Sequence, residues 1–170
     1  IIDLATKAAA SEVPIFIEGE SGTGKELLAR MIHQQGRRSR SRFVAVECSS
    51  NSEGLLEKEI FGSAENPSDG GALVKGNGGT LFLRDIDGLN PRLQMRILRF
   101  IREGSYSPAD SANILKSDIR IIASSVSNLK RLVSNGTFRE ELYYQLNVMS
   151  IYIPPLKARA ADIFPLVEYF

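Results

Sequence analysis

The sequence is poor in several residue types that mark particular classes of protein. Its 170 residues contain one cysteine, one histidine and no tryptophan. The single cysteine, Cys48, excludes an internal disulfide framework and a zinc site built from several cysteines. This sparing use of cysteine is typical of a reducing compartment, so we expect a cytoplasmic protein.

Long hydrophobic runs and an excess of charge of one sign are also missing. No apolar run approaches the roughly 20 residues that span a membrane, and the start of the chain lacks the pattern of a signal peptide. Twenty-one Lys and Arg residues against 20 Asp and Glu residues give a formal charge of +1. Net charge alone therefore does not indicate a nucleic-acid footprint, and the lack of an apolar run predicts no membrane partner.

The residues that are present predict one folded domain of the α/β class. The chain is 43% hydrophobic and 24% charged, as in ordinary globular proteins. Short β-type runs alternate with helical periods, which favours a three-layer sandwich around a five-stranded parallel sheet. Strands are predicted at 13–17, 43–47, 80–83, 119–123 and 148–153. Helices are predicted at 2–10, 25–33, 55–60, 91–103 and 128–134. The interval 62–79 has no sustained period, and we expect an exposed loop there.

A glycine-rich run lies between the first predicted strand and the helix that follows it. The run consists of Gly19, Glu20, Ser21, Gly22, Thr23, Gly24, Lys25 and Glu26. A G-x-x-x-x-G-K pattern in this setting is typical of a loop that binds phosphate, because its backbone N–H groups converge on the anion and the lysine adds a positive charge. The alternative is a flexible turn. Glu26 replaces the usual Ser or Thr after the lysine.

Several longer runs identify a family. They are GESGTGKELLARMIH, FVAVECSSNSEGLLEKEIFG, GGTLFL, LQMRILRFIREG, DIRIIAS, NGTFREELYYQLNV and IPPLKAR. From about residue 13 to 163 the chain resembles the central AAA+ domain of bacterial enhancer-binding transcription activators of the NtrC type. The resemblance implies a nucleotide-binding core at 1–160 and, at 161–170, the start of a helical lid that is largely absent. It also implies ATP hydrolysis coupled to remodelling of sigma-54 RNA polymerase by a ring hexamer. The resemblance further implies a regulatory domain before this AAA+ domain, as in two-component systems, and a helix-turn-helix domain after it.

The run that corresponds to the family's Walker B motif is altered. Where the family has Leu-Phe-Leu-Asp-Glu, this sequence ends in Arg84 and Asp85. A guanidinium repels Mg²⁺, so we do not expect the usual metal site. Asp85 is a shortened version of the family's catalytic Glu. The alternative is a shift of register in which Asp85 and Asp87 take over the metal site.

Other positions that the resemblance assigns to hydrolysis differ as well. Glu47 replaces an Asn that restrains the catalytic Glu, and Val126 replaces an Asn that senses the terminal phosphate. Arg139 matches one arginine that reaches the neighbouring subunit's nucleotide, whereas Gln145 stands at the second. The chain also lacks the Gly-Ala-Phe-Thr-Gly-Ala motif that touches sigma-54. The segment 70–73 is either a remnant of that motif or a turn.

Together these departures predict a transcription regulator whose AAA+ domain binds nucleotide without efficient hydrolysis and acts independently of sigma-54. Atypical family members such as TyrR and the biofilm regulator VpsR are similar. The expected ligands are ATP or ADP, with cyclic di-GMP as a further candidate and Arg30 as its stacking residue, unless Arg30 is only a solvated surface residue. The expected partners are further copies of the chain, from dimer to hexamer, RNA polymerase, and promoter DNA bound by a domain outside this chain. The alternatives are an active ATPase that remodels sigma-54 polymerase and an assembly scaffold with an empty pocket.

Overall fold

The structure, a computed structural model, describes residues 2–49, 52–64 and 70–162. The helices are α1 (Ile2–Ala10), α2 (Lys25–Gln34), α3 (Glu53–Phe61), α4 (Gly71–Lys75), α5 (Pro91–Glu103), α6 (Leu129–Ser134) and α7 (Glu140–Leu146). The strands are β1 (Ile15–Gly19), β2 (Phe43–Glu47), β3 (Thr80–Arg84), β4 (Ser105–Tyr106), β5 (Leu115–Lys116), β6 (Arg120–Ser125) and β7 (Met149–Ile153). Within the described ranges no helix has the length and apolar character needed to cross a bilayer.

Five of these strands form the parallel sheet that the sequence predicts. Their order is β2-β3-β6-β1-β7, and every neighbouring pair is parallel. Parallel neighbours bring the carboxyl ends of all five strands to one edge, where ligands bind in open α/β sheets. The prediction of a five-stranded parallel α/β fold is confirmed.

Alternating side chains of the strands fill a core on each face of the sheet. On one face, Ile15 and Ile17 of β1 pack with α1 and α2, and on the other Phe16 packs with α3 and α5. Helices on both faces explain why these strands are apolar at nearly every position. The sheet is therefore held rigidly between two helical layers, and its carboxyl edge is a fixed platform for the loops that follow the strands.

The helix α5 begins and ends at the residues that its sequence predicts. The side chain of Asn90 accepts a hydrogen bond from the backbone N–H of Leu93 at 2.8 Å, and Pro91 occupies the first helical position. Gly104 ends the helix in the left-handed region at φ 65°. An N-cap, an N1 proline and a C-terminal glycine together define both ends of this helix.

Two parts of the fold differ from the sequence predictions. The interval 62–79 is not a loop throughout, because Gly71–Lys75 form α4 and Ala72 and Leu73 are buried. The segment 70–73 is therefore the start of this helix and not a free turn. A short antiparallel hairpin of β4 and β5 was not predicted. Of the expected lid, Ala160–Asp162 form a 3-10 turn, and residues 163–170 lie outside the described residues.

The one histidine is buried between α2 and the sheet. The His33 ring lies 2.9 Å from the Thr80 hydroxyl through Nδ1, and its centroid is 5.4 Å from that of Phe43. Burial lowers the pKa of His33 below its ordinary value of 6.5; a hydrogen bond at the Ser41 backbone opposes this shift, and the charge of Arg120 adds to it. His33 is therefore neutral in the folded protein at neutral pH.

The buried histidine predicts that the protein loses stability in mild acid. Because the folded-state pKa lies below 6.5, His33 takes up its proton on unfolding, and the free energy of unfolding falls as pH drops below 6.5. The loss is at most about 1.4 kcal/mol per pH unit for one group. Urea unfolding of the wild type and of His33→Gln at pH 7.5 and at pH 5.5 measures this loss of stability. An equal pH dependence in the variant would contradict the assignment.

Candidate functional site

The glycine-rich run forms a loop between the carboxyl end of β1 and the first residue of α2. The loop turns through Gly22 and Gly24, whose φ angles of 77° and 93° lie in the left-handed region. The Thr23 hydroxyl donates to the Glu20 carbonyl at 2.8 Å, which closes the turn. The N-terminus of α2 therefore faces the inside of the loop, the arrangement in which backbone N–H groups bind phosphate.

Lys25 lies under this loop with its side chain 8% exposed. Its ammonium group donates to the carbonyl oxygens of Gly19 at 2.9 Å and Glu20 at 3.2 Å. The Asp85 carboxylate lies 3.7 Å from the same nitrogen. A buried ammonium in this position is oriented before any ligand arrives, and it can provide charge for an anion in the loop.

Asp85 follows the last residue of β3 and has an unusual backbone conformation. Its φ of 52° lies in the left-handed region, which aspartate tolerates better than most residues. Its backbone N–H donates to the Ser124 hydroxyl at 3.2 Å, while its buried Oδ1 has no hydrogen-bond partner among the residues that the structure describes. Burial raises the pKa of the Asp85 carboxyl, and Lys25 opposes this shift.

Arg84 forms ion pairs with two carboxylates at the edge of the loop. Its Nε donates to Glu47 Oε2 at 2.5 Å, and its Nη1 donates to Glu26 Oε2 at 2.8 Å. Glu47 and Arg84 are opposite each other in the register of β2 and β3, while Glu26 lies in the first turn of α2. Three positions that depart from family or P-loop patterns are therefore joined in one ion-pair network.

Each carboxylate of this network has a second partner. Glu47 Oε1 accepts from the Ser49 hydroxyl at 2.7 Å, and Glu26 Oε1 accepts from Arg30 Nη2 at 2.7 Å. Burial of Glu47 opposes its ionisation, but the hydrogen bonds from Ser49 and Arg84 outweigh burial and lower its pKa. Arg30 is thus tied to Glu26. Its guanidinium also stacks over the Phe43 ring at 4.7 Å from the centroid.

Two cavities adjoin the glycine-rich loop. The first, of about 420 Å³, lies beside the network and is lined by the loop from Ser21 to Glu26 together with Leu27, Glu47, Arg84 and Asp85. The second, of about 360 Å³, borders the same loop and is mostly apolar. It is lined by Glu20, Ser21, Gly22, Thr23, Gly24, Leu27, Leu28, Met31, Ile153, Pro155, Leu156 and Arg159. A charged cavity and an apolar cavity that share one loop match the polar and apolar parts of a nucleotide.

Arg159 also borders this site, although no local sequence pattern marks it. Its Nη2 donates to the Thr23 carbonyl at 2.9 Å, and its Nη1 lies 3.6 Å from Asp162. It is the last residue of the run IPPLKAR, one of the runs that carry the family resemblance. Arg159 therefore connects the segment after β7 to the glycine-rich loop, and it lines the apolar cavity.

The structure shows Asp87 bound to backbone rather than facing the charged cavity. Its two carboxylate oxygens accept from the N–H groups of Val126 at 3.4 Å and Ser127 at 3.3 Å. Val126 is 41% exposed and its apolar side chain offers no hydrogen bond to a phosphate. Asp87 thus supports the loop after β6, while Asp85 alone of the two aspartates lines the cavity.

The two positions that the sequence assigns to contact with a neighbouring subunit lie on another part of the domain. The backbone N–H of Arg139 donates to the Gln94 side chain at 2.8 Å, and its Nε donates to the Pro91 carbonyl at 3.4 Å. Gln145 lies six residues later on α7 and is half-buried. Neither residue lines the two cavities beside the loop. It stays a prediction that these positions contact the nucleotide of a neighbouring subunit.

The sequence is similar to those of bacterial transcription regulators. FlbD of Caulobacter vibrioides, a transcriptional regulatory protein, is 41% identical over 176 residues, an alignment that covers 100% of this chain and 39% of FlbD. TyrR of Salmonella typhimurium, an HTH-type transcriptional regulatory protein, is 38% identical over 170 residues, covering 100% of this chain and 33% of TyrR. The chain thus spans well under half of each of these relatives.

Solved structures of NtrX from Brucella abortus are similar over nearly the whole chain. The crystal structure of its complex with ATP has a TM-score of 0.93 and 35% identity, and covers 99% of this chain and 39% of NtrX. The complex with ADP gives the same TM-score at 36% identity. The family model described as the Sigma-54 interaction domain matches residues 1–152. The chain therefore belongs to the sigma-54 interaction domain family, the AAA+ domain of NtrC-type enhancer-binding regulators.

Proposed function

We propose that this chain binds ATP or ADP as part of a cytoplasmic bacterial transcription regulator, and that ligand binding rather than hydrolysis controls the regulator. The observation that carries the proposal is the preformed loop at Gly19–Lys25, which borders a charged cavity and an apolar one, with the buried ammonium of Lys25 lining the charged cavity. NtrX, which has been crystallised with ATP and with ADP, supports the choice of ligand.

The proposed weakness in hydrolysis rests on Arg84 and its surroundings. Hydrolysis in P-loop proteins needs a metal bridging the phosphates and a residue that orients the attacking water. Here a guanidinium ion-paired to Glu26 and Glu47 lies where the family has a metal-binding Asp. Asp85 is one methylene shorter than the family's Glu. With Val126 and Gln145 replacing a phosphate sensor and an arginine finger, several parts of the chemistry are weakened together.

The proposed independence from sigma-54 rests on the short connection between α3 and α4. The chain lacks Gly-Ala-Phe-Thr-Gly-Ala, and the two ends of the connection meet at Gly62 and Gly71. A Cβ atom built on Gly71 would lie 2.3 Å from the backbone nitrogen of Gly62. Eight residues separate these two glycines, so at about 3.3–3.6 Å per extended residue the connection can project at most roughly 14 Å from its joined ends.

In the whole protein, we propose that ligand binding shifts the balance between assembly states. A ligand shifts such a balance only through different affinities for the two states. The partners are further copies of the chain, RNA polymerase, and promoter DNA bound by a helix-turn-helix domain outside this chain. Cyclic di-GMP is the less supported ligand, since Arg30 is already bound to Glu26 and stacked on Phe43.

Calorimetric titration of the full-length protein with ATP and with ADP tests the proposed ligand. We expect saturable binding of one nucleotide per chain. Cyclic di-GMP is titrated under the same conditions for comparison, and we expect its affinity to be lower. If neither adenine nucleotide binds, the proposal is contradicted and the assembly scaffold with an empty pocket is the remaining function.

A second candidate function is an active ATPase that remodels sigma-54 polymerase. The observation that favours it is Asp85, whose buried Oδ1 lacks a hydrogen-bond partner among the described residues and lies near Lys25. Steady-state turnover by Arg84→Asp separates the two functions. A regulator missing several parts gains little from this change, whereas an enzyme that works in its present register loses activity.

A further inference from the structure

We propose that Arg84 takes the place of the divalent cation, so that this site binds a nucleoside di- or triphosphate free of metal. The inference rests on the proposed function, because it requires nucleotide in the loop at Gly19–Lys25. It assigns a phosphate-binding role to a residue that the family pattern would leave as a defect. The ligand it selects is the uncomplexed nucleotide and not its magnesium complex.

The position of Arg84 is the first reason. It is the last residue of β3, at the carboxyl edge of the sheet, and lines the same cavity as Gly22, Gly24 and Lys25. Two cationic side chains, Lys25 and Arg84, therefore line this cavity together with three carboxylates. An outer phosphate held by the loop and Lys25 would lie in a cavity that also contains the guanidinium.

The free edge of the guanidinium is the second reason. An arginine has five N–H donors in a planar fork that matches phosphate oxygens in pairs. Within the described residues, Glu47 accepts from Nε and Glu26 accepts from Nη1, and no hydrogen bond is made by Nη2. The Arg84 side chain is 42% exposed. Its remaining donors are thus open to a ligand while two carboxylates hold the group in place.

The carboxylates of the network do not depend on Arg84 alone. Glu26 retains the ion pair with Arg30 at 2.7 Å, and Glu47 retains the hydrogen bond from the Ser49 hydroxyl at 2.7 Å. If Arg84 turns part of its donor set towards a phosphate, neither carboxylate is left without a partner. This lowers the cost of sharing the guanidinium, because an unpaired carboxylate beside a phosphate would be strongly unfavourable.

A magnesium ion does not fit the residues that are present. Mg²⁺ requires near-octahedral oxygen ligands at about 2.0–2.1 Å. The cavity's two glutamates each direct an oxygen to Arg84, and a cation placed between them would meet the guanidinium. The third carboxylate that lines the cavity, Asp85, faces the Lys25 ammonium at 3.7 Å. Each of the three carboxylates therefore already has a protein cation beside it.

The test measures ADP affinity of the full-length protein by calorimetry, with magnesium and with EDTA. We expect the wild-type dissociation constant to be equal or lower in EDTA. Arg84→Met weakens binding in EDTA about 10- to 100-fold, as expected for loss of a charged hydrogen-bond donor. Arg99→Met is the control, because Arg99 is 66% exposed on α5 and pairs with Glu103. We expect no change in its affinity.

A double variant guards against misfolding as an explanation for lost binding. Arg84→Asp with Glu47→Asn restores the family's pair and is expected to bind ADP about 10-fold more tightly with magnesium than in EDTA. Wild-type binding that needs magnesium, or unchanged binding by Arg84→Met, would overturn the role of Arg84 and leave the proposed function intact. Binding under neither condition would overturn both proposals.

Discussion

Replacing Lys25 by Ala lowers the affinity for ATP and ADP about 100-fold, the upper range for loss of a charged hydrogen bond. The buried ammonium group lies 3.7 Å from the Asp85 carboxylate, and the loop carbonyls of Gly19 and Glu20 hold it in place. Its removal deletes the charge that attracts the outer phosphates and leaves the Asp85 carboxylate to repel them. Calorimetric titration of the full-length variant measures the effect.

Lys130→Ala is the matched control for that change. Lys130 is exposed on α6 and does not line either cavity beside the loop. The control therefore removes the same charge from the chain at a distance from the loop, and its affinity should equal that of the wild type. Unchanged affinity in Lys25→Ala would mean that nucleotide binds elsewhere or not through its phosphates.

Replacing Gly71 by Ala destabilises the fold by about 4 kcal/mol, the sum of a left-handed backbone penalty and a steric clash. Gly71 has a φ of 68°, and an added Cβ would lie 2.3 Å from the backbone nitrogen of Gly62 and 2.8 Å from the Ile60 carbonyl oxygen. All these atoms belong to the backbone, so no side chain can turn away to relieve the contact. Urea unfolding measures the loss.

Gly136→Ala separates the two contributions to this effect. Gly136 has a similar φ of 72°, but a Cβ atom added there would meet no other atom within 4 Å. The control therefore carries only the backbone penalty, about 1–2 kcal/mol. Equal losses in the two variants would show that the contact between Gly62 and Gly71 is not tight.

Most of the fold could be predicted because its signals are local. Asn90, Pro91 and Gly104 mark the ends of α5 through their own capping chemistry, and the apolar runs of the sheet need no knowledge of their partners. The helix α4 was missed because it has only five residues and glycines at both ends, Gly70 and Gly76. The hairpin was missed because each of its strands has two residues, too few to show alternation.

The site could be predicted only in part, because its main feature depends on strand register. The sequence marks Glu47 and Arg84 as two separate departures from the family pattern, 37 residues apart along the chain. Their side chains form an ion pair because β2 and β3 are neighbours with these residues opposite each other. The two departures are thus joined in one ion pair and are not isolated charges.

Arg159 was missed for a related reason. Its contact with the Thr23 carbonyl joins residues 136 positions apart in the chain, and no local pattern encodes it. The glycine-rich loop, in contrast, could be predicted from the sequence, because its pattern consists of consecutive residues. The sequence therefore marks this loop but not the segment after β7 that borders the apolar cavity.

Steady-state ATP turnover by the full-length protein, at concentrations that allow assembly, tests the central claim most directly. The claim is that this domain binds nucleotide through Lys25 while the Arg84 network prevents efficient hydrolysis. We predict turnover indistinguishable from that of Lys25→Ala, although the wild type binds ATP about 100-fold more tightly than the variant. Turnover clearly above that of Lys25→Ala would contradict the account and identify the protein as a working ATPase.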